Sequence, residues 1–506
     1  MSDNKNKQIN SIIREVVKGA SISAVGNVIG ILLGFLTGLV LARILGAERY
    51  GDYVLTLSIL GFVSVFSISG FNRGMLQYVS VYRIDNNVEK IKGVITFLQK
   101  IGFFISFSFA VMVFIFSNKI ADNIFHKPLL ASSLKIVAFS VIFITIGDLF
   151  TFVLQAYKKI DYQVLQKTII QPISLLLLIL IFYLFHGQYY STLIAYFTSM
   201  IIYAFAGYYF VKKLVDFKVK GLLLKEEKKD IIHYSVPLLL TGIIQFIMFW
   251  IDVILVGYFL KSKDVGIYKT CTNFALLIVY PLGSFNIIFA PIIAELFHSN
   301  KTSELDKIFK IISKWSFIIS FPLFITMVYF GKILLNLYGD AFTVGYKALI
   351  IVAIGQMINS GVGSVALILV MAKKTKTVLY NSIALCILSL ITNYFLTPRY
   401  GIAGAALATC ISLTLINIVS LIEVKYYFNI HPYKVSFLKP LFSGILAIMI
   451  VSIYNILVAP LSFNVSSFCL IAAYGIVYLL MMYYLGFDEE DLFVINGIKK
   501  KLSLDK

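Results

Sequence analysis

The sequence predicts an all-α polytopic membrane protein with 14 transmembrane helices, arranged as two parallel six-helix bundles plus two C-terminal helices. Three observations carry this. Hydrophobic residues fill 59% of 506 positions against 14% charged, with a mean hydropathy of +0.89. Apolar runs long enough for a bilayer recur from Gly19 to Leu485. Finally, a sequence repeat returns after 215 residues.

At about 20 apolar residues per crossing, the spans fall at 19–42, 53–71, 94–117, 136–155, 168–185, 189–211, 232–259, 267–292, 312–331, 346–371, 378–396, 401–424, 437–459 and 464–485. The runs are long and weakly polar, whereas a barrel strand alternates over roughly ten residues. The first run lacks a small-residue cleavage signature and reads as a retained helix. Cys271, Cys386, Cys410 and Cys469 stand alone in apolar stretches, without the spacing of a disulfide framework or a thiolate metal site.

Basic residues set the orientation. With the N-terminus inside, 31 of the 44 Lys and Arg fall on the cytoplasmic face and 10 on the other; Lys100, Lys269 and Lys314 remain in spans. Both termini are therefore expected in the cytoplasm, in the cell (cytoplasmic) membrane. The net charge of +19 is spread over short loops and suits anionic membrane lipids rather than nucleic acid. The densest cluster, Lys212, Lys213, Lys218, Lys220, Lys225, Lys228 and Lys229, reads as a linker. This divides the chain into a bundle at 1–211, a basic cytoplasmic linker at 212–231, a second bundle at 232–424, and helices 13 and 14 with a cytoplasmic tail at 425–506.

The repeat has two anchors. Leu45, Gly51 and Tyr53 after span one match Leu260, Gly266 and Tyr268 after span seven, and Lys158-Lys159 match Lys373-Lys374, both at an offset of 215. Six spans separate the copies, an even number, so the halves run parallel about an axis along the membrane normal. A cleft between such halves can open alternately to either side, which points to a transporter.

Gly26, Gly30, Gly34 and Gly38 recur every four residues in span one, marking a helical face for close packing or for movement between states. Pro172, Pro237, Pro281 and Pro322 lie in or near the ends of helices, where each removes an amide donor. Ionisable groups at membrane depth cost several kcal/mol unless paired or wet, so Asp148 in span four and Asp252 in span seven are ion-coupling candidates, for proton or sodium, with structural pairing as the other reading. Arg43, Arg73 and Lys269, and less directly Lys100 and Lys314, are cations that could receive a phosphate or merely snorkel. Gln245, Asn273, Asn286 and Asn359 offer amides to sugar hydroxyls or to neighbouring helices.

The sequence carries no GxxxxGK[ST] loop for nucleotide phosphates and no HExxH zinc motif. Its five histidines, His126, His186, His233, His298 and His431, are widely separated. No cofactor is expected. A membrane glycosyltransferase with a site built from distant carboxylates, or a structural membrane protein, stays open beside the transporter reading.

The stretch Leu41-Ala-Arg-Ile-Leu-Gly-Ala-Glu-Arg-Tyr-Gly-Asp-Tyr53, the following Gly70-Phe-Asn-Arg73, and Gly401-Ile-Ala-Gly-Ala-Ala-Leu-Ala408 resemble the polysaccharide-biosynthesis, lipid-linked oligosaccharide flippases of the multidrug/oligosaccharidyl-lipid/polysaccharide exporter superfamily. The resemblance spans almost the whole chain. It implies two six-helix bundles about a central cavity, working by alternating access as a flippase. The cargo implied is a polyprenyl-(di)phosphate-linked oligosaccharide, moved from the cytoplasmic to the outer leaflet for cell-surface polysaccharide or glycan assembly. It makes Arg43, Arg73 and Lys269 head-group candidates and implies glycosyltransferases, a polymerase or a ligase as pathway neighbours. A cation-coupled drug or small-metabolite antiporter is the alternative within the same superfamily.

Overall fold

The computed structural model describes residues 2–68, 70–186, 189–299, 301–458, 465–486, 488 and 491. Among these every regular element is helical, as a bilayer requires of open chains, since a helix satisfies its own backbone polar groups. The chain forms two compact units, residues 1–267 and 268–506.

The first unit contains α1 (Ser2–Ile68), α2 (Phe71–Ile84), α3 (Val88–Lys119), a π-helical turn (Ile120–Phe125), α4 (Pro128–Val137), α5 (Ser140–Ala156), α6 (Ile160–Val164), a second π-helical turn (Leu165–Ile170), α7 (Gln171–His186), α8 (Tyr189–Lys212) and α9 (Lys225–Phe259). Helix α10 (Ser262–Leu276) begins in this unit and ends in the next. In the second unit follow α11 (Tyr280–His298), α12 (Thr302–Asn336), a 3-10 turn (Asp340–Gly345), α13 (Tyr346–Val362), α14 (Val365–Met371), α15 (Thr375–Phe428), α16 (Leu438–Val458) and α17 (Val465–Tyr484). The first unit's core gathers Phe71, Met75, Leu98, Leu149 and Val211. In the second, Phe309, Val365 and Ile368 form one core and Ile318, Phe330 and Tyr474 another.

Among the described residues nine helices are long and apolar enough to cross a membrane, or up to 11 if each bent pair is one span. The difference from the 14 expected has a physical origin. The apolar part of α1, Val25–Ile68, has 44 residues, about 66 Å of helix against a hydrocarbon core of about 30 Å. It is broken at Gly46 (φ 69, ψ 171). Helix α15 has 54 residues and is broken at Gly401 (φ 60, ψ −141). The short loops expected at 43–52 and 397–400 are thus helical on both sides of one glycine. The last helix, α17, runs 20 residues over Val465–Tyr484, about 30 Å, the thickness of the hydrocarbon core.

The 215-residue repeat extends to backbone geometry. Lys158 and Lys373 both adopt the left-handed conformation, each with φ 59. Around them Tyr157, Lys158 and Lys159 donate to the carbonyls of Val153, Gln155 and Leu154, while Ala372, Lys373 and Lys374 donate to Ile368, Val370 and Leu369. Each partner is displaced by the same 215 residues, so one helix-terminating motif has been used twice.

The other anchor brings both copies into contact within the first unit. A Cβ on Gly51 would overlap the carbonyl of Ser262 and stand 3.1 Å from Gly266 N. One on Gly266 would stand 2.6 Å from Ala47 O and 3.1 Å from Gly51 N. Only glycine allows backbones this close. Beside this crossing Asp52, 2% exposed, accepts a hydrogen bond from the Ser262 hydroxyl. Buried Lys127 donates to the carbonyls of Gly257 and Leu260, the latter at 2.8 Å, and so caps the end of α9. Burial pulls the Lys127 ammonium below the ordinary lysine range, while the charges of Asp52 and Asp264 oppose that pull.

Candidate functional site

The polar constellation of the first unit forms where α5, the 165–170 π-helical turn and α8 meet. Two glycines permit the approach: a Cβ on Gly147 would stand 2.5 Å from the Tyr203 ring, and one on Gly207 would overlap the Gln166 amide. Gln166 is fully buried and anchors the turn, donating to Gly147 O at 3.0 Å and Tyr203 O at 3.3 Å. Thr151 Oγ1 lies 3.1 Å from Gln166 Oε1 and 3.0 Å from the Tyr203 hydroxyl. Every polar atom brought inside this packing thus meets another, as burial demands.

Asp148 terminates this network. Its Oδ1 accepts from the Tyr203 hydroxyl at 2.6 Å and pairs with Lys167 Nζ at 2.9 Å. Asp148 lies eight residues from the end of α5, about 12 Å along the helix. Yet the Lys167 side chain is 54% exposed, against 18% for Asp148. At such a position a charge is cheap only where it is paired or reached by water or a polar ligand, and the Lys167–Asp148 pair meets the first condition. Widened π turns recur at functional sites, and here one turns Gln166 inward and leaves Lys167 open.

The structure places the other sequence candidates as follows. Arg43 is exposed on α1, three residues before the Gly46 break. Arg73 is exposed in the first turn of α2, its backbone N–H bonded to Asn72 Oδ1 at 2.7 Å. Lys100, exposed on α3, lines a pocket of about 550 Å³ with Gln99, Tyr208 and Phe217. Gln245 is exposed and Asp252 half-buried on α9. In the second unit Lys269 and Asn273 are half-buried on α10, and Asn359 on α13 donates weakly to Gln356 Oε1 at 3.5 Å. Asn286 on α11 accepts from the hydroxyl of Ser364, the residue that precedes α14.

The glycine series is not uniform: Cβ atoms on Gly26 and Gly30 would overlap Val164 and Thr168, whereas Gly34 faces open space. Gly38 is half-buried. Lys314 is bound to the chain's own C-terminal segment, with Asp488 at 2.7 Å and Asp491 at 2.6 Å, and Lys439 joins Asp488 at 2.8 Å. Burial alone would raise Asp488, but the hydrogen bonds and charge of Lys314 and the bond from Lys439 prevail and hold its carboxyl well below the usual range.

Sequence reading left Lys167 in the loop before span five and did not single out Gln166, Thr151 or Tyr203. The placement of Gln166 and Lys167 depends on the π turn, which has no periodic signature, while Thr151 and Tyr203 lie inside expected spans but carry no charge to mark them. Among the described residues no group of three or more His, Cys, Asp or Glu could hold a metal ion.

Comparison with known proteins places this geometry in a family. The chain is 24% identical over 400 residues to an uncharacterized membrane protein of Methanocaldococcus jannaschii, covering 73% of this chain and 77% of the other. It is 23% identical to a Shigella flexneri protein provisionally named an O-antigen transporter, over 74% of this chain and 89% of that one. Its fold is similar to the inward closed lipid II flippase MurJ, with a TM-score of 0.74 and 15% identity over 91% of this chain and 98% of that one. A MatE family model matches residues 237–395. The model described as polysaccharide biosynthesis protein matches residues 16–297, more than half the chain, and the chain therefore belongs to the polysaccharide biosynthesis protein family.

Proposed function

We propose that this protein is a flippase, a transporter and not an enzyme, that moves a polyprenyl-(di)phosphate-linked oligosaccharide across the membrane by alternating access. The observation that carries this reading is the Lys167–Asp148 pair, an ion pair joining two candidate membrane spans of the first unit. An amphiphile with an anionic sugar-phosphate head and a long lipid tail needs a wet, cationic path for the head, while its tail stays in the bilayer. Family membership and the names of an O-antigen transporter relative and a lipid II flippase neighbour support the same cargo class. Arg43, Arg73 and Lys269 are proposed as further head-group contacts.

The direction is from the cytoplasmic to the outer leaflet of the cytoplasmic membrane, with both termini in the cytoplasm, a reading supported by the Lys and Arg excess on one face. Glycosyltransferases are its proposed suppliers, and a polymerase or ligase its consumer. Proton or sodium coupling would act at Asp148 by competing with Lys167 for the carboxylate.

The test is leaflet-resolved movement of a labelled polyprenyl-diphosphate oligosaccharide in proteoliposomes, beside empty vesicles and a Lys167→Gln variant. Protein-dependent movement that falls at least tenfold in Lys167→Gln is expected. Movement retained in the variant removes Lys167 from the path. No movement by correctly oriented protein across several lipid heads and ion gradients favours instead a small-molecule antiporter, the reading to which the MatE match lends weight.

A further inference from the structure

A second recess in the first unit stands apart from the Asp148–Lys167 pair. It is a slot of about 700 Å³ between α1, α3 and α9. Its wall along α3 and the π-helical turn that follows runs from Phe109 to Phe125, about 24 Å. Aromatic pairs close one end, Phe66 stacked on Phe109 at 5.4 Å and Phe62 against Phe246 at 5.6 Å. The flank is open, for Met112 and Phe116 in the wall are 54% and 40% exposed.

All but two lining residues are apolar, and those two, Lys119 and Asn123, sit one turn apart at the other end. The Lys119 ammonium lies 5.6 Å from the Phe116 ring centroid. Among the described residues no carboxylate forms an ion pair with it, and Asp122 does not line the slot.

An apolar slot open to the side in a membrane-spanning unit is filled by hydrocarbon, since an empty one forfeits dispersion contacts along its whole length. The single cation at its mouth adds a requirement for negative charge, and no lining carboxylate is present to receive the amine of a zwitterionic head. We propose that this slot binds one chain of an anionic phospholipid of the bilayer, with the phosphate on Lys119 and Asn123. Neither Asp148 nor Lys167 lines the slot, and the proposal does not depend on the identity of the cargo.

Trp250 stacks at 6.2 Å on Phe246, a slot residue, and so reports on it. The experiment uses the full chain carrying Trp315→Phe, in nanodiscs of phosphatidylcholine doped with phosphatidylglycerol or phosphatidylcholine bearing brominated chains, and reads quenching of Trp250. Brominated phosphatidylglycerol is expected to reach half-maximal quenching at about fivefold lower mole fraction than its phosphatidylcholine counterpart, the ratio for one lysine at an anionic head. Lys119→Gln should abolish that preference, and Lys119→Arg should keep it. Equal half-saturation by the two lipids, or a preference unchanged in Lys119→Gln, overturns the proposal. Because the readout is not transport, failure here leaves the flippase reading standing, and failure of flipping leaves this site standing.

Discussion

The crossing of Gly51 and Gly266 makes a quantitative prediction about single methyl groups. In Gly266→Ala the new Cβ begins 2.6 Å from Ala47 O, while ordinary contact starts at 3.4 Å, so the backbones must part by about 0.8 Å. The obstacle is a main-chain carbonyl, which cannot rotate away as a side chain can. Overpacking of this kind costs about 1–3 kcal/mol, offset by up to about 1 kcal/mol of helix propensity. A net loss of about 1–2 kcal/mol is expected. Gly51→Ala starts in overlap with the Ser262 carbonyl and should lose more, about 2–3 kcal/mol.

The matched control is Gly34→Ala, where the methyl meets nothing within 4 Å; helix propensity alone should leave it unchanged or up to about 1 kcal/mol more stable. Once one substitution has spread the backbones, the second finds room, and the double variant should cost less than the two summed. Thermal unfolding of the purified variants in one detergent should rank them Gly34→Ala, wild type, Gly266→Ala, Gly51→Ala, from most to least stable. A Gly51→Ala midpoint equal to wild type, or a Gly34→Ala loss as large as that of Gly266→Ala, would refute the reasoning.

Three other outcomes are expected. Lys127→Met removes the donor that caps Gly257 and Leu260 and should lower stability by about 2 kcal/mol, measured by unfolding beside Lys127→Arg, which keeps a donor. Asp148→Asn should cost within about 1 kcal/mol of stability, as befits a half-open pair; if coupling acts there, wild-type transport will vary with sodium or pH and the variant's will not, whereas identical ion responses would dismiss that role. Because Asp488 titrates lower in the folded chain than the unfolded value of about 3.9, its bonds to Lys314 and Lys439 stabilise fully above that value. That contribution fades as pH falls below about 4, so the acid sensitivity of unfolding should shrink in Asp488→Asn.

Much of this architecture was legible because a bilayer imposes a simple code. Length and apolarity identify helices, and the duplicated Leu-Gly-Tyr and Lys-Lys anchors exposed the repeat before any geometry was known. The breaks were less legible: a loop was expected at 43–52, yet a single left-handed glycine suffices, and the residues around it remain helical. Asp148 stood out as a charge in an apolar run, but its partner did not. Lys167 lies near a helix start where lysines are common, and only the π turn swings it toward the carboxylate. Lys314 was the weaker candidate inside a span, and its partners come from more than 170 residues downstream, a distance over which sequence pattern says nothing.

The Gly51–Gly266 crossing has the form of an isologous interface, in which residue i of one copy meets residue j of the other and j meets i. Two separate copies of the repeat associating this way would present every side chain twice. Fusion into one chain lifts that constraint. Asp52 is buried on one side of the crossing, and its counterpart 215 residues on is Ile267, 1% exposed. A symmetric pair would have buried two carboxylates beside each other, at the like-charge cost that drives one of them to hold a proton. The fused chain keeps one, bonds it to Ser262 and sets it in the field of Lys127. Duplication supplied the shape of this contact, and covalent linkage allowed it to become electrically one-sided.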